Sequence, residues 1–425
     1  MGSIDEYLRM KGPCLTTEIS DHLVQTAGLT PEAARQRVSR AKGNIKRLAY
    51  ITFPRRARFV YLTEQFGSAT YWANLIDALL ATKSAYGYAI AALRARNDIV
   101  PERYFSIVCG APIKQARHLS PKTIASRLEA VGLFQRIDVP GVGPCICLAH
   151  TNSDYDQFAV HLQARSFAED ILLTTVRDWV RKLGLVSYER VALRGGATLP
   201  MVGTFAWDMT APSYLGPLSR IGKDGKSKPG FFVADVFLDG EVSQQDMEPF
   251  VKKCLTLRTL RNVGPCMQMF VAVRYHAEAF KLLKRHGIVP ATPRTLFGEE
   301  VAEALTQVAS VLISVANWQL VDPERLDELF RRFAKIEGAA IQLRGTLLEF
   351  MAAGYWRRIS DHVSMNRILK ADGKKAEADV IAVKDGSSVT FIECKGYSPY
   401  ATVPDEEVEV WLQKRVPTLY KAARE

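Results

Sequence analysis

Two short apolar runs near the C-terminus constrain this chain more than any other feature. Ala378-Asp379-Val380-Ile381-Ala382-Val383 and Val389-Thr390-Phe391-Ile392-Glu393-Cys394-Lys395 are rich in β-branched and apolar residues and flank the turn Lys384-Asp385-Gly386-Ser387-Ser388, a pattern that predicts a β-hairpin. Side chains alternate faces along a strand, so Glu393 and Lys395 are expected on one face and Cys394 on the other, where it packs. The hairpin is short enough to bring Asp379 beside them. Glu377, two residues earlier, is expected on the same face as Asp379. Carboxylates and an ammonium crowded at one end of an apolar sheet are hard to justify by stability, because buried charge is costly unless paired or bound to metal. The cluster reads as a metal site, against the plainer alternative of a solvated edge hairpin whose charges block further pairing.

Ligand type sets the chemistry. Paired carboxylates are hard oxygen donors suited to Mg²⁺, with Mn²⁺ as a substitute, and Mg²⁺ keeps waters that leave room for a phosphate oxygen and an attacking water. The residues resemble the PD-(D/E)XK nuclease superfamily, whose core is a helix bearing a Glu, then strands carrying an Asp and a (D/E)xK tripeptide. Glu349, in Gly345-Thr346-Leu347-Leu348-Glu349, takes the place of the helical acid, with Gly345 one turn earlier on the same face allowing close approach. The resemblance implies that Glu349, Asp379, Glu393 and Lys395 are catalytic. It implies also that Asp379 and Glu393 hold Mg²⁺, that Glu349 completes or supports the shell with Glu377 as a second-rank ligand, and that Lys395 serves the attacking water. Residues 405–423 predict the helix that follows, kinked or divided at Pro417. The sequence then ends without the further strand that the resemblance implies.

At 425 residues the chain exceeds one ordinary core and is expected to form several domains. Lys and Arg outnumber Asp and Glu by 56 to 45, a net charge of +11 that suits a polyanionic partner. The first residues lack a basic and apolar signal-peptide pattern, and no apolar run reaches membrane-spanning length, so a soluble, cytoplasmic protein without membrane contact is expected. Seven cysteines without a CxxC pair argue against a disulfide framework and a zinc ribbon. Cys145 and Cys147 have strand spacing and read as packing. No GxxxxGK[ST] or GxGxxG loop occurs, so nucleotide hydrolysis is not indicated.

Residues 15–62 and 85–149 share an outline. In the first, a helical pattern over Leu15–Thr26 is followed by Thr30-Pro31-Glu32, a hydroxyl cap with Pro in the first turn, and then by a helix carrying Arg35, Arg37, Arg40 and Lys42. Leu48–Phe53 and Phe59–Leu62 read as two strands round the basic tip Pro54-Arg55-Arg56-Ala57-Arg58. In the second, Leu119-Ser120-Pro121-Lys122 opens the equivalent helix, and Gly132–Ile137 leads to a hairpin turned at Pro140-Gly141-Val142-Gly143-Pro144. The match of Leu29-Thr30-Pro31 with Leu119-Ser120-Pro121 supports a tandem pair, and each copy resembles a winged helix-turn-helix. That resemblance implies DNA contact by Arg35, Arg37, Arg40, Lys42, Arg55, Arg56 and Arg58 of the first copy. The second copy, whose wing is Gly and Pro without charge, suits a structural or protein-contact role. His118 reads as a surface or cap residue.

Residues 151–298 alternate helices and strands in an α/β pattern. Glu169 falls in a helix expected over 166–183, Asp208 ends the strand Val202–Asp208, and Asp235 lies within Phe231–Phe237. Their order echoes the C-terminal acids, but Phe237 stands where the tripeptide needs Lys. The domain is therefore either a degenerate nuclease-like copy or an unrelated α/β domain. The loop Ser219–Gly230, with Arg220, Lys223, Lys226 and Lys228, reads as solvated. Residues 299–337 predict two connecting helices broken near Val321-Asp322-Pro323.

The fold class expected is multidomain, α/β plus α+β. Winged helices occupy 1–66 and 67–150, a degenerate restriction-endonuclease-like α/β domain 151–298, a helical connector 299–337 and a PD-(D/E)XK nuclease domain 338–425. The function expected is Mg²⁺-dependent hydrolysis of DNA phosphodiesters in phage defence or restriction, by a homodimer if both strands are cut. Its rivals are a catalytically silent DNA-binding regulator or assembly factor, and a nuclease acting on RNA or single strands.

Overall fold

The computed structural model describes residues 4–139, 142–149, 155–221, 225, 227–316, 339–386, 388–395 and 402–424. It is a mixed α/β chain of several units. The first unit holds α1 (Ile4–Lys11), β1 (Cys14–Leu15), α2 (Thr16–Ala27), α3 (Pro31–Arg40), β2 (Ile45–Arg47) and β3 (Phe59–Leu62), with an antiparallel sheet in the order β1-β3-β2. The start of α3 is set by Thr30, whose hydroxyl accepts from the Ala33 N–H at 3.3 Å, with Pro31 in the first turn.

After α4 (Ala69–Ala81) and α5 (Ala85–Arg94), the second unit repeats the plan with β4 (Ile99–Pro101), α6 (Glu102–Val108), α7 (Pro121–Ala130), β5 (Phe134–Val139) and β6 (Gly143–Leu148), ordered β4-β6-β5. Ser120 caps α7 by accepting from the Thr123 N–H at 3.1 Å, again with Pro next. One expectation fails here: Leu48–Phe53 is not a strand. Pairing falls instead on Ile45–Arg47, and Leu48, Ile51 and Phe53 bury their side chains beside Tyr71 and Leu75 of α4. Burial against a helix removes more apolar surface from water than an edge strand would. The core of the second unit therefore reaches across position 66 into the first.

The middle of the chain opens with α8 (Tyr155–Lys182). It continues through β7 (Ala192–Leu193), β8 and β9 (Met201–Val202, Phe205–Ala206), β10 (Met209–Ser213), β11 and β12 (Arg220–Ile221, Ser227–Lys228) and β13 (Gly230–Val242). Then come α9 (Gln244–Arg258), β14 (Cys266–Tyr275), α10 (Ala277–Arg285), β15 (Val289–Ala291), α11 (Pro293–Phe297) and α12 (Glu299–Ala316). A mixed sheet runs β15-β14-β13-β10-β7, antiparallel from β7 to β13 and parallel from β13 to β15. Helices cover the parallel strands, which accounts for the unbroken apolar runs of β13 and β14. Val202–Asp208 is not one strand: Gly203, at φ 62, turns the chain into a small hairpin, and Asp208 stands just ahead of β10. Lys223, Lys226 and the break expected near Val321-Asp322-Pro323 lie outside the described residues.

The last unit comprises α13 (Ala339–Arg357), the antiparallel meander β16 (His362–Ala371), β17 (Lys374–Lys384) and β18 (Ser388–Ile392), then α14 (Asp405–Val410) and α15 (Val416–Ala422). Between these two helices Trp411–Arg415 form a π-helical turn. Pro417 has no N–H for the carbonyl four residues back, so the expected break takes the form of this widened turn. β18 ends at Ile392, so Glu393-Cys394-Lys395 lie just beyond the strand rather than within it. A Cβ at Gly345 would meet nothing within 4 Å among the described residues, and no close approach explains that glycine.

One apolar core joins the middle and C-terminal units. Ile171, Leu172 and Val176 of α8, Leu305 and Val308 of α12 and Phe350 of α13 pack with residues of both sheets. Among the described residues no helix is long and apolar enough to cross a membrane. All seven cysteines are unpaired.

Candidate functional site

The β17–β18 ladder ends with Val380 opposite Ile392. One step further, Asp379 and Glu393 fall opposite each other. The Cys394 N–H donates to Asp379 Oδ2 at 2.6 Å, which ties the turn after β18 back to β17. Lys395 Nζ lies 2.9 Å from Glu393 Oε1 and 3.4 Å from Glu407 Oε2. Arg415, on the π-helical turn, donates to the same Glu393 Oε1 at 2.7 Å. The other carboxylate oxygen, Glu393 Oε2, is buried with no hydrogen-bond partner among the described residues. Glu393, Lys395, Glu407, Trp411 and Arg415 line a cavity of about 320 Å³.

Glu349, on α13, lies within electrostatic reach of this group. Burial, followed by the charge of Asp379, raises its carboxyl from 4.5 to about 7, with Glu377 and Glu393 adding to the effect and a hydrogen bond from the Asn366 side chain opposing it. Asp379 is raised too, first by burial, with the Cys394 N–H opposing and the charges of Glu393 and Glu377 adding. The Glu393 contact comes first among the causes that raise the Lys395 ammonium, so that side chain holds its proton firmly. Burial pushes the Cys394 thiol up to about 12, which leaves it a packing residue without thiolate chemistry.

Simple alternation does not carry through the hairpin. Val363, Met365, Val380 and Ala382 enter the central core, whereas Leu369, Ala376 and Ala378 pack with Leu419 of α15. Positions of one parity thus change face, and they do so at Asn366, which sits across from Asp379 in the left-handed region at φ 50. Asn tolerates that region better than most residues, and strained backbone of this kind persists where the surroundings demand it. The shared face expected for Glu377 and Asp379 therefore does not follow from the period of two, although both charges act on Glu349. Asn366, Glu407 and Arg415 escaped the sequence reading. Only the Pro417 irregularity near Arg415 left a trace.

The donor set suits a hard divalent cation. Asp379 and Glu393 would supply carboxylate oxygens, one of them buried and without a partner among the described residues, and an ion such as Mg²⁺ would fill its remaining positions with water. Among the described residues no three His, Cys, Asp or Glu side chains stand close enough to clasp an ion by themselves. The shell expected from Asp379, Glu393 and Glu349, with Glu377 in reserve, is thus not gathered round one point among the described residues.

The basic candidates of the first unit divide between two faces. A groove of about 650 Å³ runs between α2, α3 and the loop before β3, lined by Thr16, Thr17, Arg35, Arg55, Arg56 and Arg58. Arg55 and Arg56 both adopt left-handed backbone, φ 56 and 60. Arg35 is tied to Glu32 at 3.0 Å. Arg37, Arg40 and Lys42 line a separate hollow of about 550 Å³ beside Ile4 and Asp5, so the seven do not form one surface. Arg47, also at the groove, donates to the carbonyls of Val38, Ser39 and Ala41 and so caps α3.

The middle acids are closed off. Glu169, Asp208 and Asp235 are all buried. Arg194 donates to Glu169 at 2.9 Å, Asp170 at 3.1 Å and Asp208 at 3.2 Å, and Lys253 to Asp235 at 2.6 Å. Phe237 is buried in the apolar cluster on the α9 face of the sheet. Compared with known proteins, the chain matches no family model, no curated protein and no solved structure.

Proposed function

We propose that the protein is a Mg²⁺-dependent endonuclease of the PD-(D/E)XK type acting on DNA, with tandem winged helices at its N-terminus, a degenerate restriction-endonuclease-like domain in the middle and the working one at the C-terminus. The observation that carries this reading is the split carboxylate of Glu393: Oε1 meets Lys395 and Arg415, while Oε2 is buried, has no partner among the described residues and belongs to the residue opposite Asp379. A buried oxygen in that state is costly unless a cation or water completes it. A divalent cation held there would polarise a phosphoryl oxygen and lower the pKa of its bound water.

The chain's own residues supply the rest. Lys395 is held protonated by Glu393 and Glu407, so it orients the attacking water and offsets phosphate charge rather than accepting a proton. Arg415 adds a second cation on the same side. Asn366 fixes the Glu349 carboxylate on the helix above. The groove between α3 and the Arg55-Arg56 turn fits the phosphate backbone of a duplex, and the left-handed arginines are the kind of strain that persists at working surfaces. The seven unpaired cysteines suit a reducing compartment.

The two cations on Glu393 favour a second reading, a silent DNA-binding regulator in which they merely neutralise the carboxylate. Incubation with supercoiled, linear, single-stranded DNA and RNA in Mg²⁺, Mn²⁺ or EDTA separates the readings. Nicking or cleavage in Mg²⁺, abolished by EDTA and by Asp379→Asn, is expected with DNA. Binding without cleavage of any substrate leaves the regulator.

A further inference from the structure

The middle and C-terminal units place their acids alike. Glu169 lies on α8 and Glu349 on α13, and both helices pack against α12 in one core. In the middle sheet Met209 pairs with Ala234, so Asp208 stands opposite Asp235 one step beyond, just as Asp379 stands opposite Glu393. The same hydrogen bond recurs. The N–H of Val236, which follows Asp235, donates to Asp208 Oδ2 at 2.9 Å, and the N–H of Cys394, which follows Glu393, donates to Asp379 Oδ2 at 2.6 Å. A helix acid, a strand acid and a facing acid in the same chain order, joined by the same backbone bond, are two copies of one constellation.

What differs is the cation. We infer that the middle copy is a cation site filled from within: the Arg194 guanidinium and the Lys253 ammonium stand in place of a divalent metal, and the second N-terminal unit is seated on them. Arg194 bridges Glu169 and Asp208, the helix acid and the strand acid, while Lys253 neutralises the facing acid Asp235. Lys253 is 1% exposed and Arg194 6%, so neither can yield to a hydrated ion without being expelled from the core.

The same two cations reach the second unit. Lys253 Nζ donates to the Ile107 carbonyl at 3.2 Å, and the Arg194 guanidinium lies 4.6 Å from the Tyr104 ring. At Phe237, where the other copy carries Lys395, a cation is again present but borrowed: Arg96 of the second unit lies 5.1 Å from the ring. Arg165 of α8 fastens the edge by donating to the carbonyls of Arg96 at 3.1 Å and Ile99 at 3.2 Å. Gly110 comes so near that a Cβ there would lie 2.4 Å from the Pro249 carbonyl oxygen. The surface a phosphate would need is occupied by α6 and its neighbours.

Which copy stays open rests on the proposed C-terminal centre; the filled state of the middle copy rests on its own contacts. Mn²⁺ bound per full-length chain, counted by electron paramagnetic resonance, tests both. Wild type is expected to bind at the C-terminal copy alone and Asp379→Asn to bind none. Adding Arg194→Ala to Asp379→Asn should restore one ion per chain, with a melting temperature that falls in EDTA and recovers in Mn²⁺. A full ion retained by Asp379→Asn overturns the inference, as does a double variant whose melting ignores Mn²⁺. Wild type that binds nothing refutes the C-terminal centre instead, while the double variant still decides the middle copy. Should that double variant fail to fold, Asp379→Asn combined with Arg194→Met, which keeps the length of the side chain without its charge, decides the middle copy by the same counts.

Discussion

Replacing Glu349 by Gln should stabilise the metal-free protein at alkaline pH and leave it nearly unchanged in acid. The carboxyl is held protonated in the folded chain up to about 7, whereas its ordinary value is 4.5. Between those limits the folded state binds a proton that the unfolded state has released, so stability falls as pH rises through the window. The window spans about 2.5 pH units, and at about 1.4 kcal/mol for each the ceiling is about 3.5 kcal/mol, nearly reached by pH 8. Glutamine keeps the shape and can still accept from Asn366, but it has no charge to desolvate beside Asp379, Glu377 and Glu393. Urea unfolding in EDTA at pH 5 and pH 8 reads the difference between wild type and variant, in which other titrating groups largely cancel. The variant should gain roughly 1–3 kcal/mol on going from pH 5 to pH 8. Mg²⁺ at pH 8 should narrow the gap, because a cation held by Asp379 and Glu393 offsets the negative charge beside the Glu349 carboxylate, a relief that glutamine does not need. An identical difference at both pH values would refute the argument that Glu349 is buried among like charges.

Lys395→Ala should abolish Mg²⁺-dependent cleavage while leaving DNA affinity within about twofold in gel-shift titrations, because its partners are Glu393 and Glu407 rather than the basic groove; cleavage at the wild-type rate would remove it from the site. Charge reversal at Arg55, Arg56 and Arg58 should weaken duplex binding and lower the salt slope by about one for each phosphate that is no longer neutralised, and an unaltered slope would exclude the groove. Glycine at Arg55 and Arg56 should weaken binding as well without loss of stability, because glycine accepts the left-handed backbone that costs other residues roughly 1–2 kcal/mol; a matching fall in melting temperature would show that the turn needs its side chains. Gly87→Ala would put a Cβ 2.1 Å from the Leu79 carbonyl oxygen and should cost about 2–3 kcal/mol in thermal unfolding by forcing α4 from α5. A neutral result there would mean that the two helices pack less closely than this distance requires.

What could be read from the sequence was local. Thr30-Pro31 and Ser120-Pro121 announced α3 and α7 because a cap and a first-turn proline act within four residues. The Asp-Gly turn announced the β17–β18 hairpin for the same reason, and pairing across it brings Asp379 to Glu393. The failures are tertiary. Leu48–Phe53 has the composition of a strand, but α4, which begins at Ala69, offers its apolar residues a better burial than an edge. Glu377 and Asp379 are two apart, yet the left-handed Asn366 on the neighbouring strand interrupts the alternation that would have aligned them.

The contrast between the two acid clusters shows the limit most plainly. Sequence order made Glu169, Asp208 and Asp235 look like Glu349, Asp379 and Glu393, and the missing lysine at Phe237 was the visible difference. The deciding cations, Arg194, Lys253 and Arg96, come from the turn after a short edge strand, a crossover helix and another unit, 25, 18 and 141 positions from the acids or ring they meet. No spacing rule in a single sequence links them. A carboxylate's chemistry depends on which charge arrives beside it, and that charge is chosen by the fold. Two clusters built alike can therefore differ in kind, one closed on every acid by the chain's own cations and the other with cations on Glu393 Oε1 alone, its Oε2 without a partner among the described residues and free for a metal ion to settle on.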